Sequence, residues 1–209
     1  MQIISHRGYW KKVEEKNTET AFRRSFELGF GTETDVRDLA GILVISHDPP
    51  KGNEITFEMF LQIYSEYNKN LPLALNIKAD GLQPQLKELL SKYSVGNYFV
   101  FDMSVPDGLV YLKHNLYAFT RQSEYEEKPS FYNEAQGVWI DCFNSDWINE
   151  EDIEYHNKNG KKVCIVSPDL HKREYLKVWE KYKSYKISIS NDILLCTDFP
   201  EEAQNYFLG

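Results

Sequence analysis

Glu33 and Asp35 stand two positions apart in "GTETDVRD", and Asn76 and Lys78 repeat that spacing in "LALNIK". Residues two apart on a strand project to the same face, so each pair points together if its segment is extended. Should both pairs lie at the same end of neighbouring strands, two carboxylates and an amide oxygen converge. An all-oxygen set of that kind suits a hard divalent cation. His6 and Arg7 in "QIISHRG" and His47 in "VISHD" bring two imidazoles and a guanidinium. Imidazoles exchange protons near neutral pH, and a guanidinium or ammonium group grips phosphate oxygens. With a cation to stabilise developing negative charge, the set has the parts for chemistry on a phosphate ester. Arg121, at the end of "LYAFTR", is a further candidate substrate contact.

Such convergence needs a scaffold, and the chain supplies a regular one. Eight β-rich runs recur: "QIISH" (2–6), "TETDV" (32–36), "LALNIK" (73–78), "NYFVFD" (97–102), "LYAFTR" (116–121), "GVWID" (137–141), "KVCIVS" (162–167) and "DILLCTD" (192–198). Several are apolar on successive positions, as in parallel strands buried on both faces, and most intervals have room for a helix. The pattern predicts an α/β fold, a compact (β/α)8 TIM barrel spanning residues 1–209 as a single domain. In such a barrel the chemistry lies at the C-terminal ends of the strands, where all the residues named above except His47 fall. "NTETAFRRSFELGF" reads as a helix with Asn17 or Thr18 as N-cap, and Thr56 caps "FEMFLQIYSEY". "QPQLKELLSKY" (83–93) and "HKREYLKVWEKY" (171–182) read the same way, while 121–136 and 142–160 show weaker periodicity and predict loops or short helices. "LAGILVISHDPP" follows "TETDVRD" too closely for a crossover helix. An antiparallel excursion that returns His47 toward Glu33 and Asp35 is expected there.

Composition excludes other classes. The 209 residues carry a formal net charge of -8 without a Lys/Arg cluster, which argues against nucleic acid as a partner. No apolar run of about 18 residues and no leader-like pattern is present, so a soluble, cytoplasmic protein without stable membrane insertion is expected. Cys142, Cys164 and Cys196 sit in apolar surroundings and read as reduced core residues. Nothing in the sequence sets an oligomeric state.

The motifs "SHRG" (5–8), "NTETAF" (17–22), "GTETDVRD" (31–38), "VISHD" (44–48), "LNIK" (75–78) and "LLCTDFP" (194–200) resemble, in order, those of the glycerophosphodiester phosphodiesterases. The resemblance implies a TIM barrel that hydrolyses a glycerophosphodiester to glycerol phosphate and an alcohol, with calcium or magnesium. It implies Glu33 and Asp35 as metal ligands, with Asn76 at the place of a third. His6 and His47 become the acid–base pair, and Arg7 and Lys78 phosphate contacts. Three departures stand out. Asn76 occupies the position of a family glutamate in E-x-K, "EEKNT" replaces a "PENT"-like run so that Lys16 takes an acidic place, and positions 48–75 are too few for the small subdomain many members insert.

Three functions are compatible with these residues. The first is a metal-dependent phosphodiesterase acting on a small-molecule phosphodiester, which becomes a lyase if it stops at a cyclic phosphate. The second is a phosphate-ester-binding barrel whose turnover is lost or altered through Asn76. The third makes Lys78 an imine-forming lysine, which leaves the two histidines and the carboxylate pair without a task.

Overall fold

The computed structural model describes residues 1–185 and 190–209. Its strands are β1 (Gln2–His6), β2 (Gly31–Leu39), β3 (Ile42–Ile45), β4 (Leu73–Ile77), β5 (Tyr98–Phe101), β6 (Phe119–Gln122), β7 (Gly137–Ile140), β8 (Lys162–Val166) and β9 (Ile193–Thr197). Helices α1 (Glu19–Glu27), α2 (Phe57–Ser65), α3 (Gln83–Lys92), α4 (Val105–Lys113), α5 (Glu150–Lys158), α6 (Leu176–Ser184) and α7 (Pro200–Leu208) separate or follow them. The strand order is β5-β4-β2-β1-β9-β8-β7-β6, and a parallel bridge joins Val100 to Ala118, the residue before β6. This is the strand order of a (β/α)8 barrel. No helix among the described residues is long and apolar enough to cross a membrane.

The chain divides into two compact units, Ser5–Ala118 and Met1–Ile4 with Phe119–Gly209. In the first, β2 pairs with β4 in parallel, and the register sets Asp35 opposite Asn76. The expected excursion is present: β3 returns antiparallel on β2, with Val36 opposite Ile45. The loop that follows carries His47 and leads directly into α2, so no subdomain is inserted before β4. Thr56 caps α2, its hydroxyl accepting from the Met59 N–H. Phe57, Phe60, Leu61 and Tyr64 of α2 are fully buried and meet Phe22 and Phe26 of α1, the Phe22 and Phe60 ring centres lying 4.7 Å apart. Each such side chain contributes roughly 1.5–3 kcal/mol of burial, enough to lock α1 and α2 behind β2.

In the second unit β6 to β9 pair in parallel. A side chain at Gly137 would meet the Phe119 ring at 2.4 Å, which accounts for the glycine that opens β7. No helix forms between β6 and β7, and α5 lies between β7 and β8, within the two stretches of weak periodicity. Helix α6 begins at Leu176 rather than near 171, because Pro168–His171 forms a 3-10 turn that Lys172 ends in the left-handed region, φ 58°. The three cysteines are free and buried.

Candidate active site

The site is built from the ends of β1, β2 and β4. After β1 the chain turns sharply: Arg7 and Gly8 have φ of 57° and 78°, and the Arg7 N–H donates to the Glu33 backbone carbonyl at 2.9 Å. Gly8 is required on two counts, since a Cβ there would also stand 2.8 Å from the Ala21 Cβ of α1. The turn directs the Arg7 guanidinium back over β2, where its Nε lies 3.0 Å from Asp35 Oδ2.

Glu33 and Asp35 are 2% and 0% exposed and stand on the same side of β2. Asp35 is a hub. Its Oδ2 also accepts from Asn17 Nδ2 at 2.9 Å, while Lys78 Nζ lies 3.6 Å from Oδ1 and 3.3 Å from Asp102 Oδ2. Glu33 Oε2 accepts from the Arg7 N–H at 3.2 Å and Oε1 from Asn76 Nδ2 at 3.3 Å, both long bonds. Burial, reinforced by the Asp35 charge and opposed by His6, Arg7 and Lys78, pushes the Glu33 carboxyl up to about 7.

Two oxygens in this group, Asp35 Oδ1 and Asn76 Oδ1, are buried without a hydrogen-bond partner. Native interiors rarely leave such atoms unpaired, and an oxygen-seeking cation is one way to satisfy them. The donor set of Glu33, Asp35 and Asn76 therefore fits a hard cation in chemistry. No cluster of three or more His, Cys, Asp or Glu residues that could hold a metal ion occurs among the described residues.

His47 follows Ser46, whose N–H donates to the Asp35 carbonyl at 3.1 Å, so the hairpin returns it beside β2 as expected. Its side chain is 46% exposed, with Nδ1 3.0 Å from Asp48 Oδ1. It lines a cavity of about 400 Å³ together with Arg7, Lys16 and Asn17. His6, half-buried at the end of β1, acts on Glu33 as one of the positive charges named above.

Arg121 belongs to the other compact unit and makes a two-point contact with Glu126, Nε to Oε2 and Nη2 to Oε1, each 3.0 Å. Asp141 accepts from His171 Nε2 at 2.6 Å, a contact that holds the His171 pKa above its ordinary value. Asp169 accepts from Thr197 Oγ1 and the Asp198 N–H, tying the ends of β8 and β9. These contacts tie the loops at the strand ends.

Of the two caps the sequence offers for α1, Thr18 takes the position. Asn17 has another role: with φ of 59°, its side chain reaches Asp35 and Thr34, whose hydroxyl donates to Asn17 Oδ1 at 2.9 Å.

A (β/α)8 barrel with paired carboxylates, an amide, two histidines and two fixed cations at or beside its strand ends is the class of protein these observations define. No protein-family model matches the sequence, and neither does any curated protein. Solved structures do. A protein from Galdieria sulphuraria assigned as a glycerophosphodiester phosphodiesterase matches 100% of this chain and 98% of its own at 19% identity, with a TM-score of 0.78. An Oleispira antarctica phosphodiesterase in complex with the product sn-glycerol-3-phosphate covers 100% of this chain and 97% of its own at 16% identity and TM-score 0.72. A calcium-dependent phosphatidylinositol-specific phospholipase C from Streptomyces antibioticus matches 97% of this chain and 95% of its own at 10% identity and TM-score 0.57. The chain has the fold of the glycerophosphodiester phosphodiesterases.

Proposed function

We propose that the protein is a phosphoric diester hydrolase acting on a glycerophosphodiester-type small molecule. The observation that carries this reading is the buried carboxylate pair Glu33 and Asp35 facing Arg7 and Lys78, with Asp35 Oδ1 and Asn76 Oδ1 lacking a hydrogen bond. Glu33, Asp35 and Asn76 would hold a magnesium or calcium ion, which when bound supplies positive charge opposite the phosphoryl oxygens. The fold's likeness to a phospholipase described as calcium-dependent supports an ion of this kind.

Arg7 and Lys78 bind and orient the diester through its non-bridging oxygens, and they offset the negative charge that grows on them as the attacking oxygen approaches phosphorus. Asp35 positions both side chains through its ion pairs with Arg7 and Lys78, while Asn17 donates to Asp35 and holds it. One of His6 and His47 takes the proton of the attacking oxygen, from water or from a neighbouring substrate hydroxyl, and the other protonates the leaving oxygen. Attack by the substrate hydroxyl passes through a cyclic phosphate, and release at that stage would make the reaction a lyase. A second reading, a barrel that binds the ester without turning it over, draws its support from the neutral Asn76 amide in contact with Glu33.

Hydrolysis of bis(p-nitrophenyl) phosphate and glycerophosphocholine by EDTA-stripped protein, with magnesium, calcium or manganese restored, separates the two. Cation-dependent turnover that disappears in both His6→Ala and Glu33→Ala supports the enzyme. Diester binding by calorimetry without product from any metal would favour the binding protein.

A further inference from the structure

The candidate site contains an acidic residue that the proposed reaction leaves without a task. Asn76 of β4 pairs with Phe101 of β5, so Lys78 and Asp102 leave neighbouring parallel strands side by side. Asp102 Oδ2 accepts from Lys78 Nζ at 3.3 Å, whereas Asp35 Oδ1, 3.6 Å from the same ammonium, has no hydrogen bond. Lys78 thus leans toward Asp102 although Asp35 is the more deeply buried acid, with side-chain exposures of 0% against 29%. Burial strengthens Coulomb attraction, so an unrestrained ammonium on a flexible stem would close on Asp35 Oδ1. Asp102 is itself held firmly. Its φ of 75° lies in the left-handed region, and two residues later Ser104 caps α4, its hydroxyl accepting from the Asp107 N–H at 3.4 Å. Arg7 and Asn17, whose side chains meet Asp35, share that backbone, with φ of 57° and 59°. Left-handed positions on three separate segments thus converge on one cluster around Asp35, and such positions gather where side-chain placement matters.

We infer that Asp102 is a positioning residue: its carboxylate draws the Lys78 ammonium off Asp35 Oδ1, which leaves that oxygen to a divalent cation and the ammonium to the phosphoryl group. The inference rests on the phosphodiesterase reading and adds a residue to its machinery. Without the Asp102 charge, Lys78 closes on Asp35 Oδ1 and competes with the cation for it. The pair is part-buried, so salt screens it less than a surface pair. Loss of one oxygen to an ammonium weakens the cation set by about tenfold.

The test is calorimetry of calcium binding to EDTA-stripped protein across a double-mutant cycle of Asp102→Asn and Lys78→Met. Asparagine keeps the shape and tolerates the left-handed backbone, and methionine keeps most of the lysine stem without its charge. Asp102→Asn should weaken calcium binding about tenfold when Lys78 is present. In the Lys78→Met background the loss should shrink to about twofold or less, the remaining field of a part-exposed charge. Equal weakening in both backgrounds overturns the inference, because Asp102 then acts on the cation directly. No weakening in either overturns it too. Asp102→Gly relieves the backbone and should repeat the cycle, so a fold disturbed by one substitution does not decide the result. With glycerophosphocholine at saturating calcium, Asp102→Asn should lower kcat about tenfold at an unchanged KM, and an unchanged kcat overturns the placing of Lys78. A wild type that hydrolyses diesters while the cycle comes out additive fails the inference alone. One that binds calcium and shows the coupling without hydrolysing any diester fails the phosphodiesterase reading and keeps the role of Asp102 toward Asp35.

Discussion

Glu33→Gln should make the protein more stable, by a margin that grows as pH rises from about 4.5 and levels off near 7. The side chain is 2% exposed, and its carboxyl titrates at about 7 against an ordinary 4.5, chiefly through burial and then through the charge of Asp35. A group whose folded pKa is raised contributes its full stability below the unfolded value and loses it as pH rises through the folded one. Wild-type protein in EDTA therefore weakens between about pH 4.5 and 7, by at most about 3 kcal/mol at 1.36 kcal/mol per unit. Glutamine keeps the shape, cannot ionise, and can still meet the Asn76 amide if that group turns to offer its oxygen. The other titrations are common to both proteins, so their difference isolates position 33. Thermal unfolding followed by circular dichroism should give midpoints within about 3 °C at pH 5 and a variant more stable by about 6–10 °C at pH 8. Calcium added at pH 8 should raise the wild-type midpoint and leave the variant unmoved, since a bound cation offsets the buried charge. A midpoint difference that stays constant from pH 5 to pH 8 would refute the reasoning.

Substitutions at three further positions probe the supporting parts. Asn17→Ala removes the bonds to Asp35 and Thr34 and keeps the left-handed backbone, whereas Asn17→Gly removes the same bonds and relieves the backbone. Urea melts should show alanine costing about 1–3 kcal/mol and glycine about 1 kcal/mol less, while both lower turnover to a similar degree because Asp35 is equally unsupported. Asn76→Glu places a third carboxylate against Glu33; calorimetry should find calcium bound about tenfold more tightly, and melts in EDTA at pH 8 a less stable protein. Thr56→Ala removes the hydroxyl that accepts from the Met59 N–H at 3.1 Å, which should lower the melting point by about 2–4 °C with turnover unchanged.

How much of this was legible in the sequence depended on whether local pattern or distant contact decided the residue. The carboxylate pair was legible because a period of two admits one reading on a strand, and β2 is a strand throughout Gly31–Leu39. The β2–β3 hairpin was legible from the shortness of its turn, as was the Thr56 cap from the apolar stripe behind it. Asn17 was not. Its neighbour Thr18 has extended φ and ψ and stands at the cap position without a capping bond, so local sequence offered the same pattern for a different outcome. What decided it was Asp35, eighteen positions away and fully buried, whose need for a donor outweighs that of a helix end open to water. Helix α4 is weakly marked in the sequence, since "VPDGLVYLK" carries a proline and a glycine. The proline falls in the first turn, where it is tolerated, and Ser104 caps the Asp107 N–H. Arg121 was read by its place at a strand end, and strand-end position alone cannot foresee a two-point contact with Glu126 five residues on.

The same arithmetic links proton and cation at the site. Asp35 faces two fixed cations and an amide donor, whereas Glu33 receives only two long neutral hydrogen bonds and the more distant influence of His6, Arg7 and Lys78. Glu33 is accordingly the member of the pair that takes up a proton near neutrality, and the same oxygens are those a divalent ion would use. Proton and ion then compete for one carboxylate. The acid limb of the activity profile should move to lower pH as the calcium or magnesium concentration is raised, and Asn76→Glu, by tightening the ion, should move it in the same direction at fixed concentration. Activity profiles measured across a hundredfold range of cation would decide the point: an acid limb that does not move with cation assigns it to a histidine, and removes Glu33 from cation binding.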